Sequence, residues 1–292
     1  MTMTTIAFIG TGVMGASIVK HLLKAGHEVT VYTRTQAKAL PLIELGAKWA
    51  DSPAQAALNK EVIFTMVGYP QDVEEVYCGA NGILSTARQG AIVADMTTSE
   101  PTLAKKLYTL ALEKGIHSID APVSGGDIGA QNGTLSIMLG GDKAVVELIR
   151  PIFEVFGGNI VYQGQAGAGQ HTKMCNQIAI AGGMIGICES IIYGLQAGLT
   201  MEDVLKSISS GAAGSWSLSN LAPRILQEDL EPGFYIKHFI KDMKIALDEA
   251  EKMNLQLPGL QLAKKMYDIL LTEGYGDKGT QALIQYYKTK NS

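Results

Sequence analysis

Lys173 and the two amides that follow it, Asn176 and Gln177, combine residue types and spacing that suit proton transfer to a polar substrate. They lie in GQAGAGQHTKMCNQIAIAGGMIGICESIIYGLQAG, Gly164 to Gly198, where flexible glycines run into a long, almost uncharged helical pattern. Residues three and four apart share a helix face, so one ammonium and two amides point the same way, with Ile180 and Met184 continuing the stripe. An ammonium held out of water can give or take a proton, and amides beside it can hold a substrate. A lone lysine near a helix start is more often a solvated charge, so the rest of the chain must decide. Gly182, Gly183 and Gly186 each cost ~1 kcal/mol of helix propensity relative to alanine, which predicts that other helices pack closely against them.

A second set of residues suits a dinucleotide. From Thr4 the chain reads TTIAFIGTGVMGASIVKHLLKAG: a short β-branched run, then Gly10-x-Gly12-x-x-Gly15, then an amphipathic helix. In that order the glycines turn the chain, let backbone approach a pyrophosphate and let helix and strand pack closely, while the helix N-terminus faces the phosphates. Thr11, Val13 and Met14 complete this turn. After the next strand, Glu28 to Tyr32, NAD-binding versions of the unit place an acid; here Thr33-Arg34-Thr35 stands instead. An arginine between hydroxyls pairs with a 2′-phosphate, which leans the expectation to NADP with NAD as the second choice, against an ordinary surface arginine.

These groups need a scaffold that brings strand ends together. Short apolar runs at Val62 to Val67, Ile92 to Asp95 and His117 to Ala121 alternate with helical patterns, the βαβ signature of a parallel sheet. Ligands bind outside the carboxyl ends of such strands. Val67 and Thr98 are therefore expected beside the cofactor, whereas Ser99 reads equally as a cap for the helix from Pro101. Ser124-Gly125-Gly126 offers a hydroxyl and unobstructed backbone N–H groups to a substrate carboxylate. Beyond Gly164 to Gly169 the pattern is wholly helical, with a capping box at Thr200-x-x-Asp203. The fold class expected is α/β: a Rossmann-type doubly wound parallel sheet over residues 1–164, then an all-helical substrate and oligomerisation domain over 165–292, joined by a long central helix.

Composition narrows the function classes. The 292 residues include 18% charged ones, and the formal charge of -4 gives no nucleic-acid footprint. MTMTTIAFIG carries no basic leader, and the uncharged run Met174 to Cys188 falls short of the ~20 residues of a membrane span, so a cytoplasmic enzyme is expected. Cys78, Cys175 and Cys188 have no CxxC spacing and read as core thiols, and the five histidines form no ligand pattern, so no metal is expected. Asn132-Gly133 between apolar runs reads as a tight hairpin turn.

With Gly10-x-Gly12-x-Met14-Gly15, Asp120 to Gly126, Gly164-x-x-Gly167-x-Gly169-x-x-x-Lys173 and Lys241-Asp242 in this order, nearly the whole chain resembles the β-hydroxyacid dehydrogenases. That family includes 3-hydroxyisobutyrate, 6-phosphogluconate and tartronate semialdehyde enzymes. The resemblance implies that Lys173 is the general acid/base, that Ser124, Gly125 and Gly126 hold a small carboxylate substrate, and that Thr98 and Lys241 sit by the cofactor. Many members carry Asn four residues after the lysine; here Gln177 stands there and Asn176 one place earlier, and Asn176 is taken as the substrate amide. The expected reaction is NAD(P)-dependent reduction of a small semialdehyde or keto acid, and its reverse. Because free lysine titrates near ~10.4, burial, the helix N-terminus and a nicotinamide cation are expected to lower Lys173. Imine reductases resemble this scaffold but usually replace the lysine, and a non-catalytic NADP-binding module would have no need of it. The glycine face of the long helix suggests a homodimer or homotetramer.

Overall fold

A computed structural model describes residues 3–291; residues 1, 2 and 292, which the expected domain bounds include, lie outside it. The chain divides into two compact units, one ending at Lys173 and the other beginning at Met174.

The first unit is built on nine strands: β1 (Thr5–Ile9), β2 (Glu28–Tyr32), β3 (Lys48–Trp49), β4 (Val62–Thr65), β5 (Ile92–Asp95), β6 (His117–Asp120), β7 (Val123–Ser124), β8 (Leu135–Gly140) and β9 (Gly157–Gly164). Their order is β3-β2-β1-β4-β5-β6-β8-β7, with β9 on β8. From β3 to β6 all pairs are parallel; β8 runs antiparallel to β6 and β7, and β9 parallel to β8. The helices of this unit are α1 (Val13–Lys24), α2 (Leu40–Glu44), α3 (Pro53–Ala57), α4 (Pro70–Cys78), α5 (Pro101–Leu112), α6 (Gly126–Asn132) and α7 (Lys143–Phe153).

Buried parallel strands are apolar on both faces, and the alternation within β1 shows why. Ile6 and Phe8 join one core with Ile18, Val19 and Leu22 of α1 and Val146 and Phe153 of α7, while Ala7 and Ile9 join another with Val73, Leu103 and Leu107. The sheet is thus covered on both sides. Phe64 of β4 anchors the first core, with ring centroids 6.0 Å from Phe8 and 5.5 Å from Phe153. Truncating such a buried ring costs ~3–5 kcal/mol.

α8 (Ala168–Gln196) begins in the first unit and continues into the second. There it is followed by α9 (Met201–Ile208), α10 (Trp216–Asn220), α11 (Ala222–Leu226), α12 (Ile236–Lys252), α13 (Pro258–Thr272) and α14 (Leu283–Asn291). Met184, Ile187 and Ile191 of α8 share one core with Phe239 and Met243 of α12, Tyr267 of α13 and Ile284 of α14.

Several expectations need correction. Asn132 closes α6, and Gly133 is its left-handed cap at φ 68°, so Asn-Gly makes a helix-to-strand turn and no hairpin. Asn-Gly serves both geometries because each needs a positive φ. Cys188 is buried, but Cys78 and Cys175 are exposed. Ser99 does not cap α5: its buried hydroxyl has no hydrogen-bond partner, and Glu100 precedes the helix. Thr200 stands at the start of α9 without a side-chain cap. A Cβ at Gly182, Gly183 or Gly186 would meet nothing within 4 Å, so among the described residues no helix packs on them. α8 has 29 residues and is long and apolar enough, by length and composition, to cross a membrane. Its first half, however, carries Gln170, Lys173, Asn176 and Gln177, and the amides of Gln170, Asn176 and Gln177 are bonded within their own units.

Candidate active site

The first unit gathers its functional candidates at the carboxyl ends of β1, β4, β5 and β6. Gly10 leaves β1 at φ +103°, and a Cβ there would fall 2.1 Å from the Met66 carbonyl oxygen. Gly15 has no room for one either, because it would stand 2.0 Å from the Gly10 oxygen. Both glycines are demanded by the fold. Gly12 is different: a Cβ there would meet nothing within 4 Å. Beside it Val13 is 61% exposed, and the Thr11 hydroxyl is buried without a partner. An open glycine, an uncovered valine and an orphaned hydroxyl at the start of α1 fit a cradle for a phosphate-bearing dinucleotide. Met14 is half-buried against the core.

Thr33, Arg34 and Thr35 follow β2, with Thr33 half-buried and Thr35 exposed. Arg34 is 80% exposed and donates from Nη1 to Asp72 Oδ1 at 3.2 Å, a surface pair that a phosphate can displace at little cost. Asp72 is held in turn, accepting the Tyr69 N–H on Oδ2 at 3.1 Å.

Under the ends of β4 and β5 runs a buried chain of hydrogen bonds. Asp95 Oδ1 accepts the Thr65 hydroxyl at 2.8 Å and the Thr97 N–H at 3.1 Å, and the Thr97 hydroxyl accepts the Val67 N–H at 3.0 Å. Val67 and Thr98, both half-buried, are thereby set by an aspartate beneath them. Burial raises the Asp95 carboxyl to about 6, against the two donors that favour its ionised form.

Asp120, on the neighbouring strand, fixes α8. Its Oδ1 accepts the Gly167 N–H at 2.7 Å and its Oδ2 the Gln170 N–H at 2.8 Å, satisfying donors that the start of a helix leaves unpaired. Burial pushes this carboxyl up as well, against the same backbone donors. Gln170, fully buried, clasps the β5 loop at two points: its Oε1 accepts the Ser99 N–H at 3.0 Å and its Nε2 donates to the Thr97 oxygen at 2.7 Å. The glycines before Lys173 are requirements of this closeness, since a Cβ on Gly169 would lie 2.4 Å from the Met138 oxygen and Gly167 sits at φ +89°. Three residues beyond Gln170 comes Lys173, 6% exposed. Ser124 ends β7 half-buried, and Gly125 and Gly126 follow at φ 129° and 63°.

The second unit holds the remaining candidates. Asn176 Nδ2 donates to Gln177 Oε1 at 2.6 Å, and Gln177 Nε2 donates to Asp242 Oδ2 at 2.7 Å. The other Asp242 oxygen accepts no well-angled hydrogen bond but lies 3.0 Å from Lys241 Nζ, so the ion pair accounts for it.

Residues 5–164 match the family model of the NAD binding domain of 6-phosphogluconate dehydrogenase, and residues 167–287 that of the NAD-binding region of NADP-dependent 3-hydroxyisobutyrate dehydrogenase. The chain belongs to the β-hydroxyacid dehydrogenase family. Like other β-hydroxyacid dehydrogenases, it is an NAD(P)-dependent oxidoreductase. It is similar to an uncharacterized oxidoreductase of Bacillus subtilis, 59% identical over 283 residues that cover 97% of this chain and 98% of the relative. The 2-hydroxy-3-oxopropionate reductase of Escherichia coli is 35% identical over 280 residues, 96% of either chain. A solved 3-hydroxyisobutyrate dehydrogenase of Mycobacterium tuberculosis with L-serine is similar at a TM-score of 0.91 and 30% identity, covering 97% of this chain and 99% of that one.

Within this β-hydroxyacid dehydrogenase, sequence reasoning passed over Asp95, Thr97, Gln170 and the acceptor role of Asp120. One signal was available. An aspartate closing an apolar strand, as in IVAD and HSID, is a buried charge that must find donors.

Proposed function

We propose that this enzyme reduces a small semialdehyde or keto acid to the hydroxy acid, and catalyses the reverse oxidation, with Lys173 as its general acid/base and NADP preferred over NAD. The observation that carries the reading is the enclosure of Lys173, 6% exposed, just past a helix start pinned by Asp120 at the carboxyl ends of the strands.

Gly10 to Gly15 would hold the dinucleotide, which would supply the hydride in reduction and accept it in oxidation. Lys173 gives its Nζ proton to the oxygen that develops negative charge, and in oxidation takes the proton of the hydroxyl. Ser124 offers its hydroxyl, and Gly125 and Gly126 their backbone N–H groups, to the substrate carboxylate; Asn176 supplies a further amide. Thr98, Val67 and Lys241 would contact the cofactor, and Thr33, Arg34 and Thr35 would receive the 2′-phosphate. The E. coli relative named as a reductase of 2-hydroxy-3-oxopropionate supports a small, carboxylate-bearing substrate. The exposed glycines of α8 support assembly as a homo-oligomer.

The test is turnover of purified protein on a panel of small semialdehydes and hydroxy acids with each cofactor. Turnover with a preference for NADPH is expected. No turnover of any carboxylate-bearing member overturns the reaction.

A further inference from the structure

Gln177 stands four residues beyond Lys173, and its surroundings assign it a task different from touching substrate. It is 1% exposed, and both ends of its carboxamide are engaged, Nε2 by Asp242 at 2.7 Å and Oε1 by Asn176 at 2.6 Å. Asp242 on α12 is equally enclosed, with its second oxygen 3.0 Å from the ammonium of Lys241. All four side chains belong to the second unit.

The directions of these bonds are dictated by chemistry. An ion-paired carboxylate only accepts, so Gln177 must turn its NH2 toward Asp242 and its carbonyl oxygen toward Asn176, and Asn176 must answer with its own NH2. One charge therefore fixes the orientation of two amides that could otherwise flip. A buried polar chain of this kind is stiff only while every member is satisfied.

We propose that Gln177 and Asp242 are positioning residues that tie the substrate amide, Asn176, to the cofactor ammonium, Lys241, so that each is oriented through the other. The proposal rests on the roles given above to Asn176 and Lys241. Asp242→Asn removes the ion pair and lets the amides invert, because an asparagine at this place can donate as well as accept. Gln177→Met preserves the side-chain volume and deletes both bonds.

The experiment is a double-variant cycle read in the KM of substrate and of NADPH. Asn176→Ala and Asp242→Asn are each expected to raise substrate KM about tenfold, and the pair together also about tenfold, since coupled residues lose their interaction once. Asp242→Asn also weakens NADPH binding several-fold by releasing Lys241. A double variant raised about a hundredfold, or a lowered melting temperature with both KM values unchanged, overturns the relay. Should Asp242→Asn not fold, Gln177→Met in cycle with Asn176→Ala gives the same two readings. Absence of turnover in the unaltered enzyme defeats the proposed reaction alone. The relay is then judged by NADPH titration, where unchanged affinity in Asp242→Asn and Gln177→Met overturns it.

Discussion

The Asp120 carboxylate accepts the backbone N–H of Gln170 at 2.8 Å. Through that bond and its partner from Gly167, the end of β6 sets the start of α8, and Gln170 in turn holds Thr97 and Ser99 at the end of β5. Lys173 lies one helical turn beyond. Two strands and one helix are thus locked where the chemistry is proposed.

Breaking the lock separates stability from catalysis. Asp120→Ala leaves buried N–H groups unsatisfied and is expected to cost ~2–4 kcal/mol, visible as a fall in melting temperature. Asp120→Asn retains one acceptor, stays folded, and loses kcat about tenfold or more because the helix start that carries Lys173 is no longer fixed on both sides. A kcat equal to that of the parent contradicts this positioning.

The three glycines of the first turn are not equivalent. Gly12→Ala meets no atom of the protein, so the fold stays intact while NADPH affinity drops, by about a hundredfold if the methyl excludes the pyrophosphate. Gly10→Ala is strained by φ +103° and by the Met66 oxygen, and melts at a lower temperature whether or not cofactor is present. Melting curves with and without NADPH distinguish the two, and equal behaviour of both variants would refute the distinction.

Asp95 gives a pH signature. Its carboxyl, ordinarily near 3.8, is raised to about 6 by burial. Between those values the folded protein holds a proton that the unfolded chain has released, so the contribution of this group declines as pH rises from about 4 to 6 and is gone above it. The rise corresponds to ~3 kcal/mol. Asp95→Asn, which keeps an acceptor for Thr65 and Thr97, is expected to gain stability over the parent progressively across that window. Urea denaturation at pH 4, 5, 6 and 7.5 checks it; a difference independent of pH counts against a strained charge.

Cofactor choice is placed on Arg34. Arg34→Asp sets a carboxylate beside Asp72 and removes the proposed 2′-phosphate partner, so the ratio of kcat/KM for NADPH over NADH is expected to fall at least about tenfold. An unchanged ratio would assign this arginine to the surface alone.

Much of the architecture was legible in the sequence because it is local. The apolar run TIAFI, the spacing Gly10-x-Gly12-x-x-Gly15 and the helix after it are contiguous, and the alternation that follows forces a parallel sheet. Lys173 was legible for the same reason, as a charge in an uncharged helix. What escaped depends on distant pairs: Gln170 with Ser99 lies 71 residues apart and Gln177 with Asp242 lies 65 apart, beyond the reach of any spacing rule. α6 was hidden by its own composition, since GDIGAQN combines a glycine start with a weak helix former at its end. The cap reading of Ser99, one of two weighed equally, fails because Glu100 takes the place before α5 and the Ser99 hydroxyl meets no helix N–H.

Whether the Lys173 amine moves the proton is decided by steady-state kinetics of Lys173→Ala beside NADPH titration. In that variant kcat is expected to fall about a thousandfold or more while the dissociation constant for NADPH stays within about threefold. Turnover within about tenfold of the parent, on an active substrate and at saturating cofactor, would contradict it.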